Sequence, residues 1–149
     1  METPPILYIS RRVKFCAAHR LHNPSLSPEE NRRIFGACEN PHGHNYVLEV
    51  TVRGAVPPRT GMVLDLKILK EILEERVVSL LDHRDLNRDV ECLRGLIPTA
   101  ENVAIQIWDL VEPALEGSEL YRVRLLESDE NLVDYYGPGG RPESRFPGA

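Results

Sequence analysis

The sequence predicts an α+β fold in which two strands, two helices and two further strands follow one another along the chain. Residues 6–18 and 44–53 alternate apolar and polar side chains, the pattern of strands with one buried face. Between residues 65 and 111, apolar side chains recur instead at intervals of three and four, the pattern of helices that pack on one side. Alternation returns in residues 120–128 and 131–136. These three observations predict the element order ββααββ.

Each of the first two strands has an apolar face that ends in histidine. The first face consists of Leu7, Ile9, Val13, Phe15 and Ala17, and the second of Tyr46, Leu48, Val50 and Val52. Because alternate residues of a strand project from the same side, His19 continues the first face, and His42 and His44 extend the second. Polar side chains at the end of a buried face are typical of a pocket rim.

Both helices begin with a capping residue. Asp65 caps a helix that is predicted to run to about residue 81. Its predicted inward side chains are Leu66, Leu69, Leu73, Val77 and Leu80. Thr99 caps a second helix that is predicted to end near residue 111. Residues 21–36 are predicted as a loop with a turn or two of helix, and residues 86–98 as irregular.

The last part of the chain returns to strands and then loses its pattern. The third strand has a predicted apolar face of Tyr121, Val123 and Leu125, and Glu127 ends it. Residues 1–137 are predicted as a single domain. Residues 138–149, which are rich in Gly and Pro, are predicted as a disordered tail.

Composition excludes several classes of protein. The net charge of −5 argues against nucleic acid as the main partner. No apolar run approaches the ~20 residues of a membrane helix, and the N-terminus lacks the features of a signal peptide. The three cysteines (Cys16, Cys38 and Cys92) are an odd number without the spacing of a disulfide framework, which favours a reduced, cytoplasmic protein.

The histidines at the strand ends predict a metal site. His42 and His44 share one face of a strand, and His19 supplies a third imidazole, although a gap of 22 residues is not diagnostic by itself. Three neutral histidines leave a fourth tetrahedral position open, as in catalytic zinc sites. Cys38 lies four residues before His42, where a cation would favour its thiolate. A small buried residue is the alternative interpretation of Cys38, and is the one expected of Cys16 and Cys92.

Other candidate site residues allow two interpretations each. Asp82 and His83 follow the first helix, where they are either an ordinary helix end or an acid/base unit in which the carboxylate orients the imidazole. Glu127 is either a solvated strand end or a bidentate anchor for a ring with adjacent N–H donors, such as a pterin. The simplest interpretation of Thr99 is a helix cap, and that of Glu101 is an acid in the first turn of the same helix.

Taken together, these residues resemble the 6-pyruvoyltetrahydropterin synthase family, which includes the 6-carboxytetrahydropterin synthase of queuosine biosynthesis. The resemblance extends over residues 13–136. Its landmarks are residues 15–21 (FCAAHRL), 38–46 (CENPHGHNY), 60–63 (TGMV), 81–83 (LDH), 98–102 (PTAEN), 108–109 (WD) and 125–131 (LLESDEN). Their combination is specific, whereas no single landmark would be.

The resemblance implies a fold, an assembly and a reaction. The fold is the tunnelling fold, a four-stranded antiparallel sheet with two helices on one face, whose subunits form a β-barrel and a homohexamer built as a dimer of trimers. The reaction is the conversion of 7,8-dihydroneopterin triphosphate to a 6-substituted tetrahydropterin with loss of triphosphate. By resemblance, Zn²⁺ is the cofactor and is held by His19, His42 and His44.

The same resemblance assigns roles to the remaining candidates. It implies that Cys38, Asp82 and His83 move protons, with Asp82 and His83 acting across a subunit interface. It implies that Glu127 anchors the pterin, with Thr99 and Glu101 beside it. The triphosphate requires basic residues, and the candidates are Arg20, Lys14 and Arg84.

Two departures leave the product open. Cys38 stands four residues before His42, as in the carboxy-forming enzymes, whereas the animal 6-pyruvoyl enzymes have six. With Glu39, the pattern Cys-Glu-x-x-His-Gly-His resembles bacterial members proposed to serve both the queuosine and the folate routes. In folate-type members a glutamate takes the role of the cysteine, and side-chain cleavage gives 6-hydroxymethyl-dihydropterin. A solvated loop acid is the alternative interpretation of Glu39. A non-catalytic pterin-binding module with a structural zinc is a further hypothesis, because one fold can host several functions.

Overall fold

A computed structural model of the chain describes residues 3–140 and shows an α+β fold with one sheet. The strands are β1 (Ile6–His19), β2 (His42–Ala55), β3 (Arg84–Asp85), β4 (Glu119–Leu126) and β5 (Leu132–Tyr135). The helices are α1 (Pro28–Phe35), α2 (Leu66–Leu73, continued by a π turn at Glu74–Val78 and by Ser79–Leu81) and α3 (Ala100–Val111). Short 3₁₀ turns lie at Gly36–Glu39, Glu91–Leu93 and Glu112–Ala114.

The predicted α+β class is confirmed, but the predicted order ββααββ, with four strands and two helices, is incomplete because α1 and β3 interrupt it. The described sheet has five strands in the order β3-β1-β2-β4-β5. The additional strand, β3, is only two residues long and pairs in parallel with β1 through Ala17 and Ala18. Two residues are too few for an alternation pattern, which is why β3 could not be predicted. The other pairings are antiparallel.

The third helix, α1, lies in the segment predicted as a loop with a turn or two of helix. Ser27 caps it by accepting a hydrogen bond from the amide of Glu30, and the Glu30 carboxylate accepts one from the amide of Ser27 in return. Asn31 is fully buried and donates to the carbonyls of Asn23, Leu26 and Ser27. This amide ties the helix to the segment that follows β1, and α1 leads directly into the turn that contains Cys38.

Helix α2 begins at the predicted cap, since the Asp65 carboxylate accepts from the amide of Lys67. Its buried side chains lie four residues apart and are Leu69, Leu73, Val77 and Leu81. In a regular α-helix such a row drifts around the axis by about 40° per step, and the wider π turn offsets this drift. The prediction that Leu66 and Leu80 point inward is wrong, because these side chains are 41% and 44% exposed.

A β-bulge in β4 changes which of its side chains are buried. Thr51 pairs with Arg122 whereas Val52 pairs with Leu120, so Tyr121 is the extra residue. Leu120 is therefore buried with Val123 and Leu125. The prediction that Tyr121 shares this buried face is wrong.

The two faces of the sheet differ in polarity. Helices α2 and α3 both cover the apolar face, as predicted, and α3 brings Trp108 against the ring of Tyr135. The other face carries ion pairs centred on Glu49, whose carboxylate accepts from Arg12 Nε at 2.8 Å and from Arg122 Nη2 at 2.6 Å.

Two further predictions concern membrane-spanning helices and the C-terminal tail. None of the helices in residues 3–140 has the length and apolar character that a membrane span requires. Most of the predicted disordered tail, residues 141–149, lies outside the described residues.

Candidate metal centre and substrate cavity

The pairing of β1 with β2 brings the three predicted histidine ligands together. His19 pairs with His42 across the two strands, and Ala17 pairs with His44. Since residues two apart on a strand share a face, all three imidazoles project from the helix-covered side of the sheet at one end. One ligand atom from each histidine lies within 4.8 Å of the others. These residues are therefore close enough to hold one metal ion.

Backbone carbonyls orient two of these rings. His19 Nδ1 donates to the carbonyl of Pro98 at 2.8 Å, and His42 Nδ1 donates to the carbonyl of Asn40 at 2.7 Å. A carbonyl only accepts hydrogen bonds, so each Nδ1 carries the proton and each Nε2 keeps its lone pair. Such contacts typically fix the tautomer of a metal-binding histidine.

The free nitrogen atoms fit a metal. Among the described residues, Nε2 of His19 and Nε2 of His44 are buried and have no hydrogen-bond partner. The pKa of His19 is lowered, mainly because the ring is buried. The hydrogen bond to Pro98 raises this pKa and the charge of a protonated His42 would lower it, but burial has the larger effect. The neutral imidazole is thereby favoured, which is the form that binds metal. A set of three nitrogen ligands suits zinc and other transition ions.

Glu127 stands beside this cluster at the end of β4. Its carboxylate oxygens lie 4.0 Å from Nε2 of His19 and 3.7 Å from Nε2 of His44, beyond hydrogen-bond range. The hydroxyl of Tyr46 lies 3.5 Å from Nδ1 of His19. Burial raises the pKa of Tyr46, and the negative charge of Glu127 raises it further, so the phenol stays protonated.

Glu127, Thr99 and Glu101 line one cavity of about 420 Å³. The Thr99 hydroxyl accepts from the amide of Asn102 and so caps α3, as predicted. Two other lining residues, Glu130 and Asn131, were not predicted to belong to the site, because Glu130 lies between two predicted strands and Asn131 begins the second of them. Their signal was a second acid and an amide within four residues of Glu127. The cavity is therefore acidic, which suits a ring with N–H donors.

Asp82 and His83 contact each other although they are sequence neighbours. His83 Nδ1 lies 2.9 Å from Asp82 Oδ2, and His83 adopts a φ of 60°, which turns its ring back toward the carboxylate. The amide of Cys16 donates to Asp82 Oδ1 and lowers the pKa of that carboxyl, and the hydrogen bond with His83 lowers it further. The geometry is that of a carboxylate that orients an imidazole.

This pair lies away from the histidine cluster of its own chain. His83 lines a separate cavity with Cys16 and Ala18, which project from the opposite side of β1 to His19. The side chain of His83 is 82% exposed. Within residues 3–140, the group that could hold a metal consists of the three histidines and includes neither member of the pair.

Cys38 lies in the 3₁₀ turn Gly36–Glu39 and is exposed. Its carbonyl accepts from the amide of Leu21 at 2.8 Å, which fixes the turn to the segment that follows His19. Among the described residues, its thiol is not part of the possible metal-binding group. The expectation that Cys16 is buried is wrong, since Cys16 is exposed on the polar face, whereas Cys92 packs against the core.

The sequence and the fold have counterparts among known proteins. A family model described as 6-pyruvoyl tetrahydropterin synthase matches residues 8–138, and the chain belongs to this family. The "6-pyruvoyl tetrahydrobiopterin synthase" of Drosophila melanogaster is 45% identical over 141 residues, which cover 93% of this chain and 84% of that protein. The human protein of the same name is 47% identical over 131 residues, which cover 87% of this chain and 90% of that protein.

Two further relatives extend the comparison. A putative 6-carboxy-5,6,7,8-tetrahydropterin synthase of Archaeoglobus fulgidus is 40% identical over 134 residues, covering 90% of this chain and 97% of that protein. The structure of 6-pyruvoyl tetrahydropterin synthase from Caenorhabditis elegans superimposes with a TM-score of 0.86 at 42% identity, covering 92% of this chain and 99% of that chain. The relatives are thus named as tetrahydropterin synthases of both product types.

Proposed function

We propose that this protein is a zinc-dependent lyase that converts 7,8-dihydroneopterin triphosphate to a 6-substituted tetrahydropterin with loss of triphosphate. The observation that supports it most concerns the buried Nε2 atoms of His19 and His44, which lie next to the Glu127 carboxylate and have no hydrogen-bond partner in residues 3–140. A metal would satisfy these nitrogens, and the acidic cavity at Glu127 is suited to a pterin. The family and its named relatives agree with this assignment.

His19, His42 and His44 would hold the zinc. When bound, the metal supplies Lewis acidity that lowers the pKa of hydroxyl groups on the substrate side chain. A structural zinc site normally has four protein ligands, whereas the described residues offer three here. Three protein ligands favour a catalytic zinc site over a non-catalytic pterin-binding module with a structural zinc.

Glu127 would bind the pterin. A carboxylate accepts two parallel hydrogen bonds from an amino-pyrimidine edge, and such charge-assisted pairs are short and directional. Thr99 and Glu101 border the same cavity and would position the ring relative to the metal. The ring is thereby held with its side chain toward the histidines.

Cys38, Asp82 and His83 would move the protons. Asp82 keeps the His83 ring oriented, and Cys38 would act as the base or acid. Because His83 lines a cavity with Cys16 and Ala18 and lies outside the histidine cluster, the pair would serve a neighbouring subunit's metal site. This arrangement requires the proposed homohexamer or at least its trimeric ring.

Side-chain cleavage to 6-hydroxymethyl-dihydropterin is a second candidate reaction, and one observation favours it. Oε2 of Glu39 is buried and has no hydrogen-bond partner among the described residues. A carboxylate oxygen without such a partner can accept a hydrogen bond from a substrate hydroxyl, the contact that a general base makes. Glu39 directly follows Cys38, so either residue can be presented by the same turn.

Product identity tests the proposal and separates its alternatives. The zinc-loaded protein is incubated anaerobically with 7,8-dihydroneopterin triphosphate, and the products are identified by mass. A 6-pyruvoyl or a 6-carboxy tetrahydropterin supports the proposal, the latter with release of acetaldehyde. Hydroxymethyl-dihydropterin supports the role of Glu39 instead. Tight pterin binding without turnover supports a binding module and overturns the proposed lyase.

A further inference from the structure

A second cavity, of about 520 Å³, lies next to the acidic one and has the opposite charge. Its basic lining residues are Arg20, His22 and Arg88, and the side-chain amides of Asn23 and Asn87 complete the polar part. None of its described lining residues is an aspartate or a glutamate. In a chain with a net charge of −5, such a local excess of basic groups needs a reason.

The same two chain segments form walls of both cavities. In the segment after β1, Leu21 lines the acidic cavity, whereas Arg20 and His22 line the basic one. In the segment before α3, Thr99 lines the acidic cavity, whereas Ile97 lines the basic one. These segments are joined by the hydrogen bond from His19 Nδ1 to the Pro98 carbonyl. A metal ligand therefore stands at the boundary between the two cavities.

Polar atoms in the basic cavity lack partners. Nε of Arg20 and Nδ1 of His22 are buried and have no hydrogen-bond partner among the described residues. A buried guanidinium N–H without an acceptor costs free energy unless an anion or a polar ligand supplies one. Arg88 is only weakly compensated, since its Nε lies 3.9 Å from the carboxylate of Asp85. Arg20, His22 and Arg88 can thus form further hydrogen bonds with a ligand.

The frame of this cavity is rigid. The side-chain oxygen of Asn87 accepts from the amide of Arg20 at 2.8 Å, and its Nδ2 donates to the Arg20 carbonyl at 3.0 Å. This pair of hydrogen bonds fixes the backbone of Arg20 to the loop that carries Arg88. The guanidinium groups are thereby presented from two segments whose spacing is set before a ligand arrives, which reduces the entropy lost on binding.

We propose that the basic cavity binds the triphosphate of the dihydropterin substrate, an inference that rests on the proposed function. The acidic cavity would hold the donor-rich ring, the histidines would face the side chain, and Arg20, His22 and Arg88 would hold the anionic end. Phosphate oxygens are the acceptors that guanidinium groups match best. This assignment selects Arg20 among the three sequence candidates, because Lys14 lies on the polar face of the sheet and Arg84 lines the cavity at His83.

Arg88→Gln tests this assignment with little risk to folding, because the Arg88 side chain is 83% exposed. The matched control is Arg59→Gln, which removes the same charge in the turn after β2, at the opposite end of the sheet from His42. The first readout is the affinity of the zinc-loaded protein for inorganic tripolyphosphate, measured by calorimetry. Metal content is determined before and after each titration, so that chelation of zinc is not mistaken for binding.

We expect Arg88→Gln to weaken tripolyphosphate binding about tenfold, in line with the loss of one charge-assisted contact, and Arg59→Gln to leave it within about twofold. In turnover, Arg88→Gln raises KM for the triphosphorylated substrate by a similar factor and leaves kcat nearly unchanged. Its affinity for unphosphorylated dihydroneopterin stays at the wild-type value. Equal tripolyphosphate affinities in the two variants would overturn the proposal, as would a normal KM in Arg88→Gln.

Failure of the site and failure of the proposed function give different results. If the protein turns over the substrate but Arg88→Gln behaves like Arg59→Gln, the function stands and the triphosphate site is wrong. If no turnover occurs, the proposed function is wrong, and the site is decided by direct affinities for dihydroneopterin triphosphate and dihydroneopterin. A preference for the triphosphate that Arg88→Gln abolishes would still support the site, and an unchanged preference would overturn it.

Discussion

Nδ1 of His19 donates a 2.8 Å hydrogen bond to the carbonyl of Pro98, which links the last residue of β1 to the residue before the cap of α3. This contact orients a metal ligand and also fixes the start of the helix that carries Thr99 and Glu101. The histidine cluster and the cavity lined by Glu127 are therefore joined by a direct hydrogen bond. Disturbing either side of the contact is expected to affect both metal affinity and pterin binding.

His42→Ala is expected to remove most of the bound zinc, because two nitrogen ligands hold the ion much less tightly than three. Loss of a supporting outer contact typically lowers metal affinity about 10–100-fold, and loss of a direct ligand should exceed this. Metal content of the purified protein, determined by mass spectrometry, is the measurement. His22→Ala is the control, since His22 lies outside the cluster. Equal zinc content in the two variants would contradict the ligand assignment.

Cys38→Ala is expected to lower kcat by about 10²–10⁴-fold, the usual contribution of a general acid or base, while zinc binding is retained. Zinc is retained because Cys38 is outside the described histidine cluster. Cys92→Ala, which removes a thiol that lines none of the cavities described above, is the control and should keep near wild-type turnover. A fully active Cys38→Ala protein would show that the thiol does not move the proton.

Mixing two inactive variants tests whether the site is shared between subunits. Cys38→Ala and His83→Ala, co-expressed with different tags, are expected to form mixed oligomers that regain part of the activity. Recovery occurs because Cys38 of one subunit then meets an intact Asp82–His83 pair of another. The tagged mixed species is isolated and its turnover is compared with each variant alone. If mixed oligomers form and stay inactive, the pair acts within its own chain or not at all.

Glu127→Gln is expected to weaken binding of dihydroneopterin about tenfold, because a neutral amide replaces a charge-assisted bidentate acceptor. Zinc content should not change, as Glu127 is outside the histidine cluster and its carboxylate oxygens lie 4.0 Å from Nε2 of His19 and 3.7 Å from Nε2 of His44. Pterin fluorescence gives the affinity directly. Glu116→Gln, at an exposed position before β4, is the control for the loss of one negative charge. Unchanged affinity in Glu127→Gln would remove the residue from the binding site.

Glu49 predicts a pH dependence of stability. Burial alone would raise its pKa, but the hydrogen bond and charge of Arg12 and the charges of Arg122 and Arg124 outweigh burial and lower it. A carboxyl whose pKa is lower in the folded protein stabilises the fold above its unfolded pKa, and this contribution is lost as pH falls through the folded pKa.

Glu49→Gln should therefore lower the free energy of unfolding by about 1–3 kcal/mol at pH 7, since it removes the carboxylate that pairs with the partly buried Arg122. The difference from wild type should shrink as the pH falls toward and below the lowered pKa of Glu49. Urea unfolding at several pH values measures it. Glu91→Gln breaks only the exposed pair with Arg94 and should change stability by less than about 0.5 kcal/mol. A Glu49→Gln effect that is constant down to low pH would contradict this account.

Much of the fold could be predicted because the patterns are long. The alternation in β1 and β2 fixed both the strands and the face on which His19, His42 and His44 lie. Side-chain caps at Asp65 and Thr99 placed the helix starts correctly. The errors have local causes. The two-residue β3 has no period, and the bulge at Tyr121 shifts the alternation. The π turn in α2 keeps a row with four-residue spacing inward, so Leu81 is buried where Leu80 was expected.

The site could be predicted only in part, because its distances depend on tertiary contacts. Sequence spacing could not show that Pro98 would orient His19, or that a positive φ would bring the His83 ring to Asp82. The basic cavity was also hidden, since Arg20 and Arg88 are far apart in the chain and are joined through Asn87. Individual basic residues could be named as candidates, but their grouping required the fold.

The central claim is that a metal held by three histidines is needed to eliminate triphosphate from a dihydropterin. The most direct test compares zinc-loaded, metal-stripped and zinc-reloaded protein with 7,8-dihydroneopterin triphosphate, and measures inorganic triphosphate and the tetrahydropterin product together. We predict equimolar release of both by the loaded protein, loss of both on stripping, and recovery on reloading. Product formation that is unaffected by stripping to a metal content near zero would contradict the claim.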